Sequence, residues 1–100
     1  MELARTLIES FLIKSKGLLL SMQNALTIGN AEQLYRDTHT IKGDVGYFYA
    51  KAAVDAATQL ERSVRSGNFS TAGKELAELN IEIERLLLAL DVLLRTELSQ

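Results

Sequence analysis

Apolar residues recur along this chain with a helical period. Four such stretches are separated by short polar breaks. The first spans residues 2–26, where Leu3, Leu7, Phe11, Leu18, Met22 and Leu26 keep helical spacing over most of the run. Ser15, Lys16 and Gly17 weaken its middle. The pattern therefore allows one helix with a soft point, or a short helix followed by a longer one. Gly29-Asn30 is a break: glycine suits a helix stop, and asparagine suits the cap of the next helix. From Ala31 the stripe continues through Leu34, Ile41, Val45 and Phe48, with Thr38 in phase. Residues 50–66 are alanine-rich, and Ala53, Ala57, Leu60 and Val64 form a clean stripe. Gly67-Asn68 closes that segment, and Ser70 is the expected cap of the next.

Residues 71–98 hold the most regular pattern. Leu76, Leu79, Ile83, Leu86, Leu90 and Leu93 alternate steps of three and four, a seam suited to bundle packing. Leu87 and Leu94 widen it. Ile81, Leu88 and Val92 sit partly off it, either covering the N-terminal segment or forming a surface patch. Four helical segments joined by short breaks predict an all-α, antiparallel up-down-up-down four-helix bundle. One hundred residues fit a single domain, residues 1–100.

Composition agrees with helix and narrows the chemistry. There is no proline, and leucine, alanine and glutamate dominate. The net charge of −2 comes with scattered lysines and arginines, so nucleic-acid binding has little support. With no cysteine, neither a disulfide nor a thiolate zinc site can form. One histidine excludes a multi-histidine metal site within one chain. No segment reads as a signal peptide or a membrane span, so a soluble, cytoplasmic protein is expected. Met1 and the polar ending Thr96–Gln100 favour a free-standing protein over a fragment of a hybrid kinase.

The single histidine is where chemistry enters. At 100° per residue, with the stripe centred on Leu34, the six core-phase residues fall within roughly 60° of it. His39 falls about 140° away, beside Glu32, Gly43 and Gly46. Tyr35 and Lys42 lie on the shoulder of its face, and Arg36 lies one turn before it. Neutral imidazole is a nucleophile near physiological pH. With no serine or cysteine to activate, it suits direct acceptance of a phosphoryl group, which needs mainly positioning and charge neutralisation. Lys42 can supply the charge. Glycine inside a helix costs roughly 1 kcal/mol against alanine, so Gly43 and Gly46 on this face call for an explanation, and steric access is one.

His39-Thr40-Ile41-Lys42-Gly43 resembles the H-x-x-K-G signature of histidine phosphotransfer (HPt) domains. Leu34-Tyr35-Arg36 is similar to the family's approach to the histidine, and Ala50 onwards to Gln59-Leu60-Glu61 resembles its next helix. The resemblance implies that His39 is the phosphoacceptor, that Lys42 assists the phosphoryl group, and that Gly43 clears the approach. Tyr35, Arg36, Gly43 and Gly46 are then the expected docking residues. Gly46 matches a position where the family commonly has a small residue. The implied activity is that of a phosphoryl carrier, without kinase activity, between aspartates of response-regulator receiver domains. A hybrid sensor kinase is a further implied partner. No cofactor is expected: the chain lacks a glycine-rich nucleotide loop, and any magnesium would belong to the receiver. The alternative is an HPt-like binding module that no longer transfers phosphate.

Two positions depart from the family pattern. Asp44 stands where a serine or another small residue is frequent, and by rotation it points away from His39. Tyr49 stands where a glycine usually ends the helix. A compact monomer then requires a chain reversal within two or three residues of Tyr49, pinned by Phe48. The competing state is one continuous helix from Ala31 to Ser66 and an exchange of helices between two chains.

Overall fold

The computed structural model describes residues 2–98, with side chains for residues 3–96. Met1, Ser99 and Gln100, which belong to the chain ends that favoured a free-standing protein, lie outside the described residues. Those described form four helices and no strand: α1 (Glu2–Ile28), α2 (Ala31–Tyr47), α3 (Lys51–Arg65) and α4 (Phe69–Leu98). Helix α1 packs on α2, α2 on α3, α3 on α4, and α4 on α1, which closes the bundle around one core.

Each helix contributes the stripe its spacing predicts, with informative exceptions. In α3, Ala53, Ala57, Leu60 and Val64 are all buried. In α2, Leu34, Thr38, Ile41 and Val45 are buried, while Ala31 at the helix start is exposed. In α4, Leu76, Leu79, Ile83 and Leu90 are buried, joined by Ala72. Leu93 leaves the seam and is exposed, as are Ile81, Leu88 and Val92, which form surface rather than cover for α1.

Helix α1 is one continuous helix through Ser15, Lys16 and Gly17. Its buried seam is Ile8, Phe11, Ser15, Met22 and Ala25, so the stripe is rotated from the sequence expectation: Leu3 and Leu7 are exposed. Ser15 tolerates burial because its hydroxyl donates to the Leu12 carbonyl at 3.2 Å. Thr38 does the same to Leu34 at 2.6 Å. Asp37, also buried, accepts from Ser21 at 2.5 Å and Gln33 at 2.8 Å, tying α1 to α2. A buried polar group is tolerated when its hydrogen bonds are made.

The breaks at Gly29-Asn30 and Gly67-Asn68 fall as expected. Asn30 caps α2 by accepting from the Gln33 backbone N–H at 3.1 Å. Ser70, however, lies inside α4, because the helix already starts at Phe69.

All three corners close the same way. After α1, Asn30 N–H reaches the Ala25 carbonyl and Gly29 N–H the Leu26 carbonyl. After α3, Asn68 reaches Ser63 and Gly67 reaches Val64. After α2, Ala50 reaches Val45 and Tyr49 reaches Gly46. This is the Schellman pattern, whose pivotal residue is left-handed. The pivots are Gly29 (φ 76°), Gly67 (φ 77°) and Tyr49 (φ 57°). Tyr49 thus adopts a conformation that disfavours any side chain. Phe48 holds the corner in place: it is half-buried, and its ring centroid lies 5.1 Å from that of Phe11 on α1. The continuous Ala31–Ser66 helix is not formed.

Replacing Tyr49 with glycine should stabilise the fold. Relief of a left-handed side chain gives about 1–2 kcal/mol, and the extra freedom of glycine in the unfolded chain takes back about 0.4–1. Urea unfolding should therefore show Tyr49→Gly more stable by about 0.5–1 kcal/mol with an unchanged m-value. Loss of stability would show that the ring supports the corner.

Candidate functional site

Helix α2 carries His39 on the side opposite its core stripe, and α3 supplies the side chain that holds it. His39 lies outside the core, with its side chain 69% exposed. The ring nitrogen Nδ1 is 2.8 Å from Oε2 of Glu61 on α3. The other Glu61 oxygen, Oε1, accepts from Nζ of Lys42 at 3.1 Å. One carboxylate therefore bridges the histidine and the lysine one turn further along. Glu61 reaches them because it follows Leu60, which anchors α3 in the core.

Glu61 is itself only 13% exposed. Burial pushes its carboxyl up, but hydrogen bonds from His39 and Lys42, with their charge, outweigh this and hold it below the ordinary value. The group is therefore a carboxylate at neutral pH, and a carboxylate only accepts hydrogen bonds. His39 must then donate from Nδ1, which leaves the lone pair of the neutral ring on Nε2. The protein thus fixes both the tautomer and the orientation of the ring.

Around this core of the site lie the other residues marked by sequence. Tyr35, one turn before His39 and half-buried, lies nearly parallel to the imidazole, at 8° and 6.2 Å between centroids. Its hydroxyl accepts from Arg65 at 2.5 Å, and the Arg65 guanidinium lies over its ring. Arg36 is exposed and pairs with Glu32 at 2.6 Å. Gly43 is exposed, and a Cβ added there would meet nothing within 4 Å. Among the described residues, no contact requires a glycine there. Gly46 is exposed on the α3 side, where a Cβ would make ordinary contact with Val54 at 3.8 Å.

Asp44 points away from His39, toward α1, where it pairs with Lys14 at 3.1 Å. That ion pair borders a groove between α1 and α2 lined by Leu7, Phe11, Gly43, Tyr47 and Phe48.

The family model for the Hpt domain matches residues 6–89. The chain belongs to the Hpt domain family. Hpt domains carry phosphoryl groups in phosphorelays, interact with receiver domains and kinases, and are carriers rather than kinases. Comparison with curated proteins and with solved structures gave no match. Among the described residues, no helix is long and apolar enough to cross a membrane. Among the same residues, no three His, Cys, Asp or Glu side chains are grouped to hold a metal ion.

Within this Hpt domain, the residues that sequence reasoning left without a role are Glu61 and Arg65. Glu61 stood in a segment noted only for its likeness to the family's next helix. Both lie on α3, some 20 residues or more from His39, and helical periodicity within one segment carries no signal for such pairings. The one available cue was an acidic residue directly beside the core position Leu60, on a helix expected to pack against α2.

The Glu61 arrangement sets a pH dependence of stability. Its folded value lies below the unfolded value of 4.5, so on acidification the unfolded chain takes up the proton first. The contribution is complete above about pH 5.5 and is lost as pH falls through 4.5 and then the folded value. Chemical denaturation of wild type and Glu61→Gln across pH 3–7 should give a stability difference that is flat at the neutral end. Below pH 4.5 wild type should lose stability relative to the variant. Parallel curves throughout would contradict the pairing.

Proposed function

We propose that this Hpt domain relays a phosphoryl group between receiver-domain aspartates by way of His39. The observation that carries the reading is an exposed imidazole whose Nδ1 is held by the Glu61 carboxylate, with the Lys42 ammonium on the same carboxylate. In the proposed step, Nε2 attacks the phosphorus of a receiver's aspartyl phosphate. The P–O bond to aspartate breaks, a P–N bond forms, and the aspartate leaves as a carboxylate. The Nδ1 proton stays in place, so the phosphorylated ring gains positive charge, and Glu61 balances it. Lys42 can turn from Glu61 to the phosphoryl oxygens, where its charge favours transfer. Handing the group to a second receiver reverses the same step. Glu61 is a positioning residue in this reading, and His39 and Lys42 are the catalytic ones.

The docking face comprises Tyr35, Arg36, Gly43 and Gly46 around the imidazole. Gly43 is bare so that a receiver's active site can close over the ring. The architecture proposed for residues 1–100 is a single antiparallel up-down-up-down bundle, working as a cytoplasmic monomer.

Incubation with phosphorylated receiver domains tests this reading. His39→Gln should accept no label while its stability stays within about 0.5 kcal/mol of wild type, as for a surface site. The wild-type label should be acid-labile and base-stable, as a phosphoramidate is. Lys42→Ala should transfer roughly a hundredfold more slowly, the scale of removing one charge-stabilising donor. Glu61→Ala should slow transfer about ten- to a hundredfold through loss of ring orientation. Gly43→Leu should weaken receiver binding by about tenfold or more. Label persisting on His39→Gln would exclude His39 as the acceptor, and unchanged receiver affinity in Gly43→Leu would refute the access role.

A further inference from the structure

The fold accounts for the left-handed corner at Tyr49 but not for a tyrosine at its pivot. It occupies the left-handed pivot of a Schellman corner, at φ 57°, where the two equivalent corners use glycine. Its side chain is 93% exposed and, among the described residues, makes no hydrogen bond or ring contact. The neighbouring N-cap of α3, Ala50, also makes no side-chain capping bond. A side chain at a strained position with no partner among the described residues is free to serve a contact outside the chain.

Its surroundings say where. His39, Gly43 and Tyr47 come one after another at steps of four along the outer face of α2, and all three are exposed. Tyr47 lies about 12 Å along the helix axis from His39, and the corner lies just beyond. The groove lined by Gly43, Tyr47 and Phe48 lies on the α1 side of this face, with the Lys14–Asp44 ion pair on its edge, and neither His39 nor Tyr49 lines it. A standard interface covers about 800 Å² per partner, a disc roughly 16 Å in radius. A partner centred on His39 therefore extends to the end of α2, next to the corner that carries Tyr49. Exposed aromatic residues at such a distance from the centre supply contact area at low conformational cost.

We infer that Tyr49 is a docking and specificity residue: its ring packs against the receiver domain that exchanges phosphoryl groups with His39. The inference rests on the relay reading above and adds a contact that the H-x-x-K-G motif does not contain. Strain at the corner is then the counterpart of binding, since a glycine there would fold better and dock less well.

The test uses the full chain and the source organism's purified receiver domains, phosphorylated with acetyl phosphate. Loading of His39 by phosphoramidate, a small donor that needs no docking surface, serves as control. For receivers that exchange with wild type, Tyr49→Gly should raise KM about tenfold, the effect of losing an aromatic anchor, with kcat and phosphoramidate loading unchanged. Tyr49→Phe, which keeps the ring, should stay within about twofold of wild type. Unchanged KM in Tyr49→Gly for every exchanging receiver would overturn the inference and leave the relay intact. So would an effect of Tyr49→Gly confined to self-association, read by sedimentation. If wild type loads from phosphoramidate but exchanges with no receiver, the relay reading falls and this inference with it.

Discussion

Glu61 holds two groups that would otherwise move independently. Its carboxylate accepts from His39 Nδ1 at 2.8 Å and from Lys42 Nζ at 3.1 Å, and it is only 13% exposed while His39 is 69% exposed. The asymmetry matters. A buried acceptor keeps its hydrogen bonds out of competition with water, so the exposed ring is held from behind and left open in front. Because the carboxylate can only accept, it also dictates which nitrogen carries the proton. Position, tautomer and charge balance of the imidazole are all set by this one contact between α2 and α3. The contact in turn depends on the packing of Leu60, Ala57 and Ala53 against Leu34, Ile41 and Val45, since it needs the two helices side by side.

That packing requires the chain to reverse between Tyr47 and Lys51, and the corner is where local preference and the fold disagree. The corner has the backbone form of those at Gly29 and Gly67 but no glycine to serve as its pivot. The corner forms because a long-range contact offsets a local cost: Phe48 packs on Phe11, and the two helical stripes bury each other. Tertiary burial summed over both stripes exceeds the roughly 1–2 kcal/mol that a left-handed tyrosine costs.

Much of this architecture was legible in the chain. The stripes of α2 and α3 and most of the α4 seam fell where periodicity placed them, because each helix buries one face. So did the stops at Gly29 and Gly67, which carry their own backbone signal. The stripe of α1 was misread by a rotation. Leu3 and Leu7 look like core, but small Ala25 and polar Ser15 occupy the seam, and residue type alone underrates both. Asp37 was missed for the same reason, since its burial depends on Ser21 from another helix. At the site, His39, Lys42 and Gly43 were visible as one local pattern. Glu61 and Arg65 were not, because pairing across helices depends on the relative rotation of α2 and α3, which no single segment encodes.

The claim on which the rest turns is that Glu61 fixes the imidazole with Nε2 as its free nucleophile. Two-bond ¹H–¹⁵N correlation spectra of ¹⁵N-labelled protein at neutral pH, before and after phosphoramidate loading, read this directly. Nδ1 should be the protonated nitrogen of the resting ring, and phosphorus should couple to Nε2 in the loaded protein. A resting ring protonated on Nε2, or phosphorus bound to Nδ1, would contradict the account.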